Sequence, residues 1–363
     1  MNKFTFLLTI ISCNILLAQP PTGYYNNATG TGYTLKTQLY QIISNYQPQI
    51  YNLVDNFMIE NDKDIYYEND NTILDIYSEK PTTSDPYNFT SSQACGNYNS
   101  EGDCWNKEHV IPQSVFSQNE PMRGDAHHLL PTDGRVNGFR SNYPFGWVGS
   151  NLVSQSGISN PTLNGSKLGN AINTGIAAGY SNIVFEPINE FKGDIARIYF
   201  YFVTRYQNEI PNWSFPMFNG TTNVSISNPF LNILYQWHIQ DPVSQKEINR
   251  NNAIYTYQGN RNPFIDNPQW VATVWGANLG INDLNLKLVT IFPNPSSQNF
   301  ITIQSENNPE MIQLFSINGQ LIQEFYQPKF YDHTFMINNL EQGFYFVKLS
   351  FQDQIITQKI IIN

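Results

Sequence analysis

The sequence predicts an α+β domain followed by a small all-β sandwich, and three features lead there. The run Lys192 to Tyr206 has no Gly or Pro after Gly193 and is apolar nearly all round, as a buried helix is. Between residues 104 and 146 a block of polar motifs reads as strand, long loop, strand, short helix. From Val289 onward, short alternating runs are separated by turn signals, the pattern of a sandwich.

Taken in order, residues 1–18 read as an export signal. Lys3 supplies the charged start, Phe4 to Leu17 the mostly apolar stretch, and Ala18 before Gln19 a cleavage point. Cys13 after Ile10-Ile11-Ser12 offers a lipoprotein signal as the alternative. The stretch is short for a membrane span, and no later segment is apolar enough for one. Residues 19–275 form the first domain. Leu35, Leu39, Ile42, Ile43 and Tyr46 recur at helical spacing. Residues 80–104 are loop-like, and 149–182 suggest short strands and turns. Leu231 to His238 and Pro242 to Asn252 predict two further helices. Residues 276–287 read as a linker, and 288–363 as the all-β domain. Its strands are expected at Phe300–Gln304, Met311–Ser316, Gln320–Phe325, Phe344–Phe351 and Ile355–Ile362. Turns are expected at Pro293-Asn294-Pro295, Asn318-Gly319 and Gln342-Gly343.

A chain of 363 residues fits two domains of roughly 100–200 residues each. Charged residues make up 13%, about half the usual share, and Asn, Gln, Ser, Thr and Tyr carry the polarity instead. Such a surface suits work outside the cell. The net charge of −10 argues against a protein that holds nucleic acid by bulk positive charge. A bound divalent cation and a few local Arg and Lys side chains could still handle one phosphate. Of three cysteines, Cys13 leaves with the signal. Cys95 and Cys104, in a Gly- and Asn-rich loop, then read as one disulfide in an oxidising compartment. A metal site there lacks the CxxC spacing and a nearby His. A monomer is expected.

Three of the five histidines, His109, His127 and His128, fall within twenty residues. Adjacent Glu108 and His109 on a strand point to opposite faces, but at a strand end both can reach one centre. Strand alternation would put Asp125 and His127 on one face. Thr132 or Asp133 could cap a short helix on which Asn137 and Arg140, three apart, share a face. That order can bring Glu108, His109 and Asn137 around one cation. A carboxylate and an amide oxygen are hard ligands, suited to Mg²⁺, with Mn²⁺ or Ca²⁺ as alternatives. His109 is then free to act as a base.

These segments resemble the bacterial endonuclease I family, of the ββα-metal (His-Me finger) fold. The resemblance rests on Lys107–Ser114, Asp125–Leu129, Arg135–Gly138 with Arg140–Gly146, Phe185-Glu186-Pro187 with Lys192–Arg197, Trp237-His238 with Asp241–Ser244, and Gln258–Phe264. It implies a ββα-metal nuclease core with surrounding helices, Glu108 and Asn137 as metal ligands and His109 as general base. It implies Arg140 as either a phosphate contact or a brace. It further implies cleavage of DNA and often RNA, with little sequence preference and 5′-phosphate products. Periplasmic members are more basic and richer in cysteine; the acidity of this chain bears on affinity for long DNA and not on the chemistry. Residues 288–363 resemble the C-terminal sorting domain of type IX secretion cargo, through Phe292–Pro295, the turn at Ser316–Ile322, the Leu340–Gly343–Tyr345 step and Lys359-Ile360. That implies recognition by the type IX machinery and a secreted or cell-surface location. A generic β adhesion module is the alternative.

The remaining residues have plainer roles. His127 is expected to bond across the core, His128 to face away from His127, and His238 to be a satisfied core histidine. Asp194 and Arg197 are expected to brace the site from below, since a buried Arg needs a partner. Asn260 and Arg261 either line a nucleic-acid groove or cap a loop. A metalloprotease is disfavoured, because HExxH is absent and Glu108 precedes its histidine. A non-catalytic surface binding protein would suit the β domain but not the His/Glu/Asn/Arg cluster.

Overall fold

The structure is a computed structural model that describes residues 20–279, 289–305, 308–317, 319–351 and 355–362. The expected export signal lies outside the described residues, as does most of the expected linker. The linker's first residues, Gly276–Leu279, instead make a 3-10 turn with Gly276 buried. The chain divides into two compact units, Met1–Asn282 and Asp283–Asn363.

In the first unit, helix α1 (Gly32–Ile43) buries Leu35, Leu39 and Ile43, the stripe its spacing predicts. Helix α2 (Val54–Asn61) buries Val54, Phe57 and Met58. Strand β1 (Trp105–His109) pairs antiparallel with β2 (Leu129–Asp133), with His109 opposite Leu129 and Glu108 opposite Leu130. Asp133 ends β2 and caps helix α3 (Gly134–Arg140), its carboxylate accepting from the Val136 N–H at 2.8 Å. The ββα order read from the sequence is therefore present.

Strands β3 (Val148–Leu152), β4 (Lys167–Ala171) and β5 (Ile183–Glu186) form a sheet in the order β3-β4-β5. Helix α4 (Lys192–Arg205) is buried from Lys192 to Thr204. It packs against α1 and against α5 (Asn228–Gln240). Each fully buried Phe, Ile or Val on it stabilises by about 1.5–3 kcal/mol. Helix α6 runs Gln245–Gln258, later and longer than expected. Ser244 and Glu247 form a capping box at its start, and Gly259, with φ of 89°, ends it in the left-handed conformation. Short helices α7 (Pro263–Asp266) and α8 (Trp270–Trp275) complete the unit. No described helix is long and apolar enough to cross a membrane.

The second unit is a β-sandwich, as expected. One sheet has the order β10-β7-β6 and the other β12-β11-β8-β9. The strands are β6 (Val289–Phe292), β7 (Phe300–Ser305), β8 (Met311–Ser316), β9 (Leu321–Tyr326), β10 (Thr334–Asn338), β11 (Gly343–Ser350) and β12 (Ile355–Ile362). β6 and β10 lie beyond the five expected strands. β10 enters from a turn without Gly or Pro, in which Asp332 and His333 take positive φ.

Candidate functional site

A cleft of about 300 Å³ opens where β1 meets α3, and Glu108, His109, Asn137 and Arg140 all line it, beside Tyr51 and Tyr98. His109 is the last residue of β1, so it and Glu108 reach the same cleft from a strand end. A larger cleft of about 390 Å³, lined by Tyr40, Glu120 and Arg205 among others, holds none of these four residues.

Glu108 is 1% exposed. Its Oε1 accepts from the Tyr77 hydroxyl at 2.9 Å and lies 3.0 Å from Nη1 of Arg140. Burial pushes the carboxyl up to about 7, with Arg140 and Tyr77 pulling the other way. Both contacts fall on Oε1, which leaves Oε2 open to a cation.

His109 holds its Nε2 3.0 Å from the Arg123 carbonyl oxygen. A carbonyl only accepts, so Nε2 carries the proton and Nδ1 keeps its lone pair. Burial, helped by His128, pushes the imidazole down to about 3, so the ring is neutral at neutral pH. Tyr51 stacks on it at 5.4 Å between centroids.

Asn137 donates through Nδ2 to Asn106 Oδ1 at 2.7 Å and to the Lys107 carbonyl at 3.2 Å. These acceptors turn the amide oxygen free, so Asn137 and Glu108 could together hold a divalent cation through two hard oxygens. Arg140 is 1% exposed and donates to the His109 and Val110 carbonyls at 3.0 and 2.7 Å. Its guanidinium also lies over Phe145. Of the two roles expected of Arg140, these contacts suit the brace, since they hold the end of β1 and Oε1 of Glu108.

Helix α3 is seated on an aromatic ring. A Cβ at Gly134 would lie 2.6 Å from Cδ1 of Tyr98 and 3.3 Å from Nδ2 of Asn106, and one at Gly138 would lie 2.4 Å from the Tyr98 hydroxyl. The loop that carries Tyr98 is closed by a Cys95–Cys104 disulfide, with Cα atoms 5.8 Å apart.

Other expected residues lie outside the cleft. Asp125 and His127 do not alternate on a strand. Ala126–His128 is a 3-10 turn, capped by the Asp125 carboxylate on the His127 N–H. Asp125 also accepts from the Tyr201 and Tyr206 hydroxyls and from Gln258, which makes it a structural hub. His127 bonds the Asn260 carbonyl across the core. His128 turns toward the site: its ring lies 5.5 Å from that of His109. Arg197 forms its close pair with Glu247 rather than Asp194, which binds Lys246. Neither Asp194 nor Arg197 lines the cleft, so this network braces α4 against α6 rather than the site. Asn260 and Arg261 are corrected as well. They are 0% and 2% exposed; Asn260 bonds the Ile43 carbonyl and Tyr201, and Arg261 grips Asp266 and Asn252. Side chains so enclosed cannot reach a nucleic acid. Tyr51, Tyr77 and Arg123, by contrast, belong to the site although no motif marks them.

A family model described as Endonuclease I matches residues 31–269, and one described as Secretion system C-terminal sorting domain matches 290–363. The chain is 34% identical over 259 residues to an extracellular ribonuclease of Bacillus amyloliquefaciens, covering 69% of this chain and 78% of the relative. It is 31% identical over 293 residues to an extracellular ribonuclease of Bacillus subtilis (strain 168), covering 74% and 90%. It is also 27% identical over 164 residues to a periplasmic deoxyribonuclease of Aeromonas hydrophila, covering 45% and 56%.

Proposed function

Since the chain belongs to the endonuclease I family, we propose that it cleaves both DNA and RNA with His109 as general base and one divalent cation held by Glu108 and Asn137. It is a nuclease with a C-terminal secretion sorting domain, and its place is secreted or at the cell surface. The names of the relatives span ribonuclease and deoxyribonuclease. A site that grips the phosphodiester rather than the sugar accommodates both, with little sequence preference.

The observation that carries the reading is the contact of His109 Nε2 with the Arg123 carbonyl, which sets the ring's tautomer. With Nε2–H held by the Arg123 carbonyl, Nδ1 takes a proton from water, and the oxygen attacks phosphorus. Tyr51 keeps the ring from turning. Glu108 is held in place by Tyr77 and Arg140, and Asn137 by Asn106 and the Lys107 carbonyl. A cation bound there would stabilise the developing charge and the leaving 3′ oxygen, so that the products carry 5′-phosphates. Mg²⁺ suits two protein oxygens completed by water, with Mn²⁺ or Ca²⁺ as substitutes. Residues 288–363 serve recognition by the type IX machinery. The test incubates purified protein with plasmid DNA and with structured RNA. Both should be cut, EDTA should stop the cutting, Mg²⁺ should restore it, and ligase should rejoin the ends without a kinase. Undiminished cutting in EDTA, or no cutting of either polymer with Mg²⁺ present, would overturn the proposal.

A further inference from the structure

A second acidic constellation lies outside the cleft. Asp64, Glu68 and Glu79 each present an oxygen, and the three oxygens lie within 4.8 Å of one another. None of the three residues lines the cleft of Glu108. The Asp64 carboxylate accepts from the N–H groups of Tyr66, Tyr67 and Glu68, which orders the loop that carries Glu68.

Glu79 points to a ligand. It is 1% exposed, and neither of its carboxylate oxygens has a hydrogen-bond partner among the described residues. A buried carboxylate left unpaired is among the most costly arrangements a core can hold. Burial pushes Glu79 up to about 9, and the neighbours acting on it, Asp85, Glu68, Asp64 and Glu190, are all acidic. Protonation alone does not resolve this, because the new O–H would still need an acceptor and Glu79 makes no such bond.

We propose that Asp64, Glu68 and Glu79 bind a structural Ca²⁺ ion, separate from the catalytic cation. Oxygens on opposite sides of Ca²⁺ stand about 4.6–5.2 Å apart, so three oxygens within 4.8 Å can share one ion. Asp64 and Glu79 supply buried ligands, and Glu68, from an exposed loop, admits the waters that complete a Ca²⁺ shell. The ion would tie residues 64–68 to Glu79, two residues from the Tyr77 that braces Glu108.

The test uses the full mature chain carrying Asn137→Ala, which weakens the catalytic site. Calorimetric titration with Ca²⁺ should show one saturable site per chain. Adding Glu79→Gln or Glu68→Gln should weaken it at least tenfold. Ca²⁺ at 100-fold its dissociation constant should raise the melting temperature by about 5–10 °C, and Glu79→Gln should abolish that rise. In EDTA, Glu79→Gln should melt close to its parent, because burial already keeps the ion-free carboxyl neutral. Should it melt lower, the exposed Glu68→Gln carries the test. No saturable Ca²⁺ in the Asn137→Ala chain, or affinity within twofold of the parent in both glutamine variants, would overturn the proposal. Neither outcome depends on cleavage.

Discussion

The two units bury different things. From 289 to 362 the core is aliphatic and aromatic, built on Ile301, Ile303, Ile312, Leu314, Val347 and Leu349. Its buried polar side chains, among the described residues, are Ser296 and Ser305. The first unit has a larger apolar core, yet it encloses Glu108, His109, Arg140, Arg197 and Arg261 within it. Buried ion pairs are weak sources of stability compared with apolar packing. Where they accumulate, they fix geometry. The first unit is built to hold side chains still, and the second to stay folded while something else reads its surface.

The largest effect expected from this contrast is the loss of one buried imidazole. His109→Ala should lower cleavage by about 10²–10⁴-fold with little change in melting temperature, as followed by plasmid cleavage and calorimetry on one preparation. Cleavage within tenfold of the parent by a folded variant would break the contrast, because the enclosed polar groups would then be scaffolding only.

A smaller effect follows from Glu108. Burial raises its carboxyl to about 7 in the metal-free protein. Below that pH it holds a proton that a cation must displace. The Mg²⁺ concentration for half-maximal cleavage should therefore rise up to about tenfold per pH unit as pH falls below 7, and level off above it. His109, pushed down to about 3, stays neutral throughout, so the rate at saturating Mg²⁺ should change less. Metal titrations at pH 6, 7 and 8 measure this, and a flat half-saturation value would remove Glu108 from the ligand set.

The smallest effect is expected from removing the second unit. A chain ending at Asn282 should cleave within twofold of the whole chain, while in a host of the native type it should remain in the periplasm. A tenfold loss of cleavage by a folded, shortened chain would show that the β unit serves the chemistry after all.

Much of this was legible in the sequence, for local reasons. An uninterrupted apolar run makes α4 readable, and an Asp ahead of Gly-Arg-Val-Asn marks where α3 begins. Glu108 and His109 are readable because a strand end is where neighbouring side chains can share a centre. What stayed hidden depends on partners far along the chain. Asp125 caps a 3-10 turn and collects hydroxyls from Tyr201 and Tyr206, so alternation could not describe it. Asn260 and Arg261 have the residue types of a nucleic-acid contact, and only burial shows that they face inward. Tyr77 reaches Glu108 across 31 residues, and nothing near it in sequence announces that.

The seating of α3 on Tyr98 carries a consequence for how the molecule tolerates change. Gly134 does not line the cleft. Yet a single methyl group there would press on the Tyr98 ring and on the amide of Asn106, and Asn106 is the group that turns the oxygen of Asn137 free. The cost of that methyl would be passed through two neighbours to Asn137, the ligand we propose for the cation. Part of the cleft's geometry is thus encoded as missing atoms, which the residues that line it would never reveal.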